Sequence, residues 1–295
     1  GHERYMMNSG GNVENAFGDG YFYQGDYDKA KEKYLLGKET AYDKVNSIRK
    51  LIEVATTRAN LNEYLKLSDE LLSIYTKNND QSSYAGHLIS RAYVMLLVFD
   101  DKKKSEVVVA EIEKIYTNKY NNVSFADQGA ISKTFYINLL KDLKRWDKAS
   151  KYQKESFGDL DILDTINSGI IYQQKGNYTD AIKIFQPLLP RLDQYSQYVM
   201  RYNLGICYMK IGAFELAIDT FDKMKNNLSN GWGARKLYYP KFFLYSGLAN
   251  LEVKNYRQAK SNIETFLKIW EPAPETLKEK IMAREALKKI GEATS

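Results

Sequence analysis

Two histidines, His2 and His87, and one cysteine, Cys207, are the only imidazole and thiol groups in 295 residues. Nucleophilic catalysis needs a base beside the nucleophile and a third group to orient that base. These three residues form no such motif, and their spacing matches no zinc site. Nor is there a phosphate-cradling GxGxxG or Walker sequence. No catalytic residue, metal ligand or cofactor is therefore expected. General acid–base chemistry needs convergent titratable groups, none stand out, and the chain reads as a non-enzyme. GDLDILD (158–164) carries three aspartates, as a calcium loop would. It lacks the alternating oxygen ligands and terminal Glu of such loops, and Asp159 or Asp161 suits a helix N-cap better. KDLKRWDKASKYQK (141–154) mixes bases and aromatics as a nucleic-acid stripe does. Asp142 and Asp147 interrupt it, and helical spacing spreads its charges round the axis. It reads as a solvated outer face, and no nucleic-acid partner is expected.

The elements that would position any site come from a repeat. NSGIIYQQKGNYTDAIKIF and YNLGICYMKIGAFELAIDTF align with an offset of 36, Gly169 on Gly205, Gly176 on Gly212, Ala181 on Ala217 and Phe185 on Phe221. A period of this size signals stacked supersecondary units. In each copy, apolar residues at helical spacing stop at a turn glycine and resume in a second amphipathic run. Gly169 and Ala181 fall where two antiparallel helices would cross, and Tyr172, Tyr178 and Phe185 would fill the space around them. One hairpin cannot cover its own apolar face, so neighbours must stack on it. Taking the crossing residue as a marker gives seven units, at Gly18, Ala55, Leu96, Ile137, Gly169, Gly205 and Gly247. Gly25, Ala30, Ala149 and Ala259 are further repeat-defining positions. In the second unit Asn62 stands at the turn, and in the third the valine run 107–109 reads as helix.

The small–aromatic–Gly–aromatic–Ala–aromatic pattern resembles the tetratricopeptide repeat. The resemblance implies an all-α, right-handed α-solenoid of about seven hairpins over 12–271, whose first helices line a concave face where protein or peptide partners bind. Inward residues would then be Asn15, Asp19, Phe22, Arg49, Tyr93, Asn138, Gln173, Tyr202, Met209, Lys210 and Lys241, on a surface polar at its N-terminal end and more apolar from Leu163 to Leu251. Either a partner groove or a plain solvated surface fits that pattern. One subclass of the family grips a chaperone C-terminal carboxylate with two asparagines and several cations. Asn138 and Asn167 fall on the asparagine positions, but Thr134, Val199 and Asn203 stand where cations are expected, leaving too little charge-assisted bonding. Trp232, in LSNGWGARKLYYP (228–240), is either an exposed interface anchor on a long loop or a ring tucked against its neighbours.

The segment 272–295 reads as a polar-backed capping helix, with Pro274 in its first turn. FLKIWEPAPETLKEKIMAREALKKI resembles the closing segment of repeat arrays in bacterial Ser/Thr kinases and membrane-linked transcriptional regulators. That implies an alternative role, a sensory or regulatory segment responding to a peptide or small molecule. The chain is 44% hydrophobic and 27% charged, with 24 Tyr and 5 Pro, fitting a helical chain with a large core. Its net charge of +6 comes from interleaved charges of both signs. No apolar run reaches the ~18 residues of a membrane span. Residues 1–11 read as a tag remnant. A cytoplasmic and a periplasmic setting both remain open, as do partner identity and oligomeric state.

Overall fold

The computed structural model describes residues 13–40, 44–117, 124–158, 161–192, 194–225 and 232–294. Fifteen α-helices and no strand occur among them. The chain divides into two compact units, 1–156 and 157–295. The first holds four hairpins: α1 (Val13–Gln24) with α2 (Tyr27–Thr40), α3 (Lys44–Thr57) with α4 (Leu61–Lys77), α5 (Gln81–Leu97) with α6 (Lys102–Thr117), and α7 (Ala130–Asp142) with α8 (Trp146–Phe157). The second holds three: α9 (Asp161–Gln174) with α10 (Tyr178–Leu188), α11 (Gln194–Lys210) with α12 (Phe214–Lys225), and α13 (Trp232–Glu252) with α14 (Tyr256–Ile269), closed by α15 (Lys278–Thr294). The fold is thus all-α and tetratricopeptide-like, seven hairpins and a closing helix.

Every first helix ends on a residue in the left-handed region. Glycine supplies it at Gly25, Gly176 and Gly212 (φ 76–82°), where an L side chain would cost roughly 1–2 kcal/mol. Ala59, Asp100, Lys144 and Lys254 adopt it with φ of 50–61°. The next amide usually reaches back five residues, as Asp26 N–H to Tyr21 O at 3.0 Å and Asn177 N–H to Tyr172 O at 2.9 Å. This closes each helix by the Schellman pattern.

These turns correct the register of two hairpins. In units one, four, five, six and seven the marker lies seven residues before the left-handed residue. The same count back from Ala59 and Asp100 gives Ile52 and Tyr93, in place of Ala55 and Leu96. Asn62 accordingly lies inside α4, and the turn is made by Ala59 with Asn60 as N-cap, its side chain accepting from Glu63 N–H. The sequence pattern sought a small residue at the crossing, and these two crossings do not use one.

Where the marker is glycine, a large side chain sixteen residues on lies against it. A Cβ on Gly18 would fall within 3.0 Å of the Tyr34 ring, on Gly169 of Phe185, on Gly205 of Phe221 and on Gly247 of Ile263. Ala30, Ala149, Ala181, Ala217 and Ala259 are fully buried on the second helices. Tyr172 does not fill the crossing as expected; it is 39% exposed, and Phe185 occupies that space.

Stacking then buries the leading side of the hairpins that follow another within their unit. The residue before the marker is buried in Leu51, Ala92 and Tyr136 of the first unit, and in Leu204 and Ser246 of the second, where another hairpin precedes. In hairpin one the equivalent Phe17 is 53% exposed.

The closing helix seats on hairpin seven through ionic contacts. Lys241 Nζ lies 2.7 Å from Glu279 Oε1, both nearly buried. Lys280 Nζ donates to Ala273 O at 2.7 Å and Glu271 O at 3.0 Å, and pairs with Glu275 at 2.8 Å. Pro274 sits in this tied-down turn, before the helix rather than within it. Residues 1–11 lie outside the described residues.

Candidate interaction surface

Five residues expected to face a partner are spent inside the chain. Asn15 is fully buried and hydrogen-bonds Ser47 at 3.0 Å. Asp19 pairs with Lys50 at 2.9 Å and accepts from the Tyr34 hydroxyl at 2.7 Å. Burial pushes its carboxyl above the usual carboxylate range, while Lys50 and Tyr34 pull it back. Phe22 packs edge-on to Tyr27 with centroids 5.4 Å apart. Tyr93 stands at the crossing of hairpin three, a consequence of the corrected register. Lys241 is held by Glu279. Sequence spacing named the face; only the packing shows which side chains turn inward.

The others keep some exposure. Arg49 is exposed, its guanidinium donating to the Tyr75 hydroxyl at 2.7 and 3.0 Å. Asn138, Gln173, Tyr202 and Met209 are half-buried and Lys210 is exposed. Tyr202 sits in a ring cluster, 4.9 Å from Tyr238 and 5.8 Å from Tyr245. Burial first, then Tyr245, pushes its hydroxyl pKa well up. Trp232 begins α13, so residues 232–240 form helix in place of the expected loop; its side chain lies outside the described residues. Asp161 opens α9, and Asp159 lies outside the described residues.

The first helices of the second unit carry a row of which the sequence reading named only Gln173 and Met209. The position just after the marker is Ile170, Ile206 and Leu248 in successive hairpins, each half-exposed. Three residues further on stand Gln173, Met209 and Leu251, also half-exposed. The equivalent positions in the first unit are Asp19, Glu53, Val94 and Asn138, then Phe22, Thr56, Leu97 and Lys141. The signal was present in the sequence as equal repeat positions filled by Ile and Leu, but only the half-exposure separates them from core.

The remaining reactive groups are structural. Ser68 Oγ lies 2.9 Å from His87 Nε2, yet Ser68 is fully buried on the inner side of α4. Burial pushes the Cys207 thiol up to about 12, leaving it neutral in the core. Among the described residues, no group of three His, Cys, Asp or Glu converges as a metal site, and no helix is long and apolar enough to cross a membrane.

No family model matches the chain, and no curated protein matches it by sequence. Its fold is similar to that of the TPR2AB domain of yeast Sti1, solved as a complex with pHSP90 (14% identity, 96% of this chain and 97% of that one, TM-score 0.35). It is also similar to a chain of the Cut9–Hcn1 hetero-tetramer of the APC/C (16% identity, 97% and 56% covered, TM-score 0.45). Yeast Tom70 is a third (14% identity, 99% and 70% covered, TM-score 0.31). The likeness is one of fold. The architecture stated above rests on the hairpins themselves.

Proposed function

We propose that the chain is a non-catalytic scaffold that holds a protein or peptide partner on the first-helix face of its second unit. The observation that carries this reading is the row Ile170, Ile206 and Leu248, flanked by Gln173, Met209 and Leu251. Half-exposed aliphatic side chains at one repeat position give an apolar strip on a pre-formed surface, the setting in which grooves take extended or helical peptides. Tyr202 and the exposed Lys210 border the strip as aromatic and cationic contacts. A carboxylate grip is disfavoured, because Thr134, Val199 and Asn203 supply no cation and the Asn203 amide donates to Val199 O at 3.1 Å.

Selection from a displayed random-peptide library on the immobilised chain tests the reading. Enriched peptides should bind the parent and lose at least about tenfold in affinity to Ile206→Lys, with the thermal midpoint little changed. A library that yields no enriched peptide, or peptides indifferent to Ile206→Lys, would overturn it.

A further inference from the structure

The joint between hairpins one and two is built unlike the others. Nineteen residues after the marker, on the second helices, stand Leu71, Ile112, Leu188, Met224 and Phe266, each buried. Hairpin four has Ser156 there, and hairpin one has Gly37. A Cβ on Gly37 would fall 2.5 Å from Asn15 Oδ1 and 3.2 Å from Ser47 Oγ. The space that a large apolar side chain fills elsewhere is taken here by the Asn15–Ser47 hydrogen bond, which joins α1 to α3.

Ion pairs span the same joint. Asp19 of α1 and Lys50 of α3 meet inside it. At its edge Lys31 and Lys38 of α2 lie 2.6 and 2.7 Å from Glu63 and Glu70 of α4. Arg58, just past α3, lies 2.5 Å from Asp28 of α2. Rings instead join hairpin six to hairpin seven, Phe221 to Phe242 at 6.2 Å and Tyr202 to Tyr238 at 4.9 Å.

The two kinds of joint respond differently to salt. Partly exposed ion pairs are screened by it, and ring contacts are not. The buried Asp19–Lys50 pair fixes register more than it adds strength. Removing both charges from water offsets most of their attraction, and both regain that water when the joint opens.

We infer that hairpin one is a releasable end segment: α1 and α2 leave hairpin two together while hairpins two to four stay folded, and ionic strength sets how often. Release and unfolding of α1 and α2 coincide, because one hairpin cannot cover its own apolar side. Opening uncovers Ile48, Leu51 and Ala55 on the leading side of α3, each at most 1% exposed when the joint is closed. Salt thereby switches an apolar surface that is otherwise hidden.

Hydrogen exchange of the intact chain, read by mass spectrometry, tests this, because local opening sets the exchange of each segment. At low salt, peptides from α1 and α2 should exchange together and faster than those from α3 to α6. Raising NaCl from about 0.1 to about 1 M shortens the screening length from about 10 to about 3 Å. Protection of α1 and α2 should then fall at least about threefold. Peptides from α11 to α14 in the same sample should change less. Glu63→Gln combined with Glu70→Gln should speed exchange of α1 and α2 at low salt and remove most of their salt response. Exchange of α1 and α2 in step with α3 to α6 would mean one cooperative block and overturn the inference. So would a salt response shared equally by α11 to α14, or one that persists in the double variant.

Discussion

Hairpins one, five, six and seven cross over a glycine, whereas hairpins two, three and four cross over Ile52, Tyr93 and Ile137. The two groups fill the same volume from opposite sides. In the first group Tyr34, Phe185, Phe221 and Ile263 reach from the second helix into the space that the glycine leaves. In the second group the large side chain comes from the first helix, and the residues sixteen further on are Ser68, Val109 and Gln153. Close packing explains the exchange, since the interior tolerates neither a void nor an overlap. Polar tethers accompany the smaller partners: Ser68 bonds His87, and Gln153 accepts from the buried Lys141 at 3.0 Å. In hairpin four a ring cluster adds further bulk, with Phe125 4.5 Å from Tyr152.

The largest effect is expected where the first group departs from its own pattern. Hairpin one alone hangs a buried ion pair on the hydroxyl of its crossing ring. Lys50→Met leaves Asp19 buried without its cation and should cost about 3–5 kcal/mol at pH 7. Asp19 already has a folded pKa above its ordinary value, so its ionisation costs stability as pH rises through the carboxylate range. Losing Lys50 raises that pKa further. The destabilisation read from urea midpoints should therefore shrink as pH falls from 7 toward 4. A deficit that stays constant or grows on acidification would show that Lys50 acts by packing.

Ile137→Ala comes next. It empties a crossing filled from the first helix, and a cost of about 2–4 kcal/mol is expected in chemical denaturation. Gly205→Ala makes the reverse error, overfilling a crossing already occupied by Phe221, at about 1–3 kcal/mol. The two classes separate in the second step of the experiment. Phe221→Leu should recover part of the Gly205→Ala loss in a double-mutant cycle, whereas no trimming at Gln153 should rescue Ile137→Ala. Additive losses in hairpin six would break the comparison.

The glycine-marked hairpins were legible because their small residues and rings recur at fixed offsets, with Gly169 and Gly205 in tandem. Hairpins two and three were legible as helical pairs but misplaced by three residues. Ala55 and Leu96 stood in for Ile52 and Tyr93, markers that themselves carry the volume supplied elsewhere by the second helix, and Ala59 and Asp100 hold a left-handed turn that no glycine announced. The candidate site was legible as a face. Its members were not, since Asn15, Asp19 and Lys241 are polar residues that periodicity reads as solvent-facing, and each is satisfied by a partner at least 31 positions away, Ser47, Lys50 and Glu279.

The sequence by itself determined that this chain forms helical hairpins which must stack, because no single hairpin can bury its apolar side. Which helix fills each crossing, which charges are buried in pairs and which aliphatic side chains stay at the surface were decided by tertiary structure. Those outcomes depend on volume and solvation shared between segments far apart in the chain, and a local pattern carries neither.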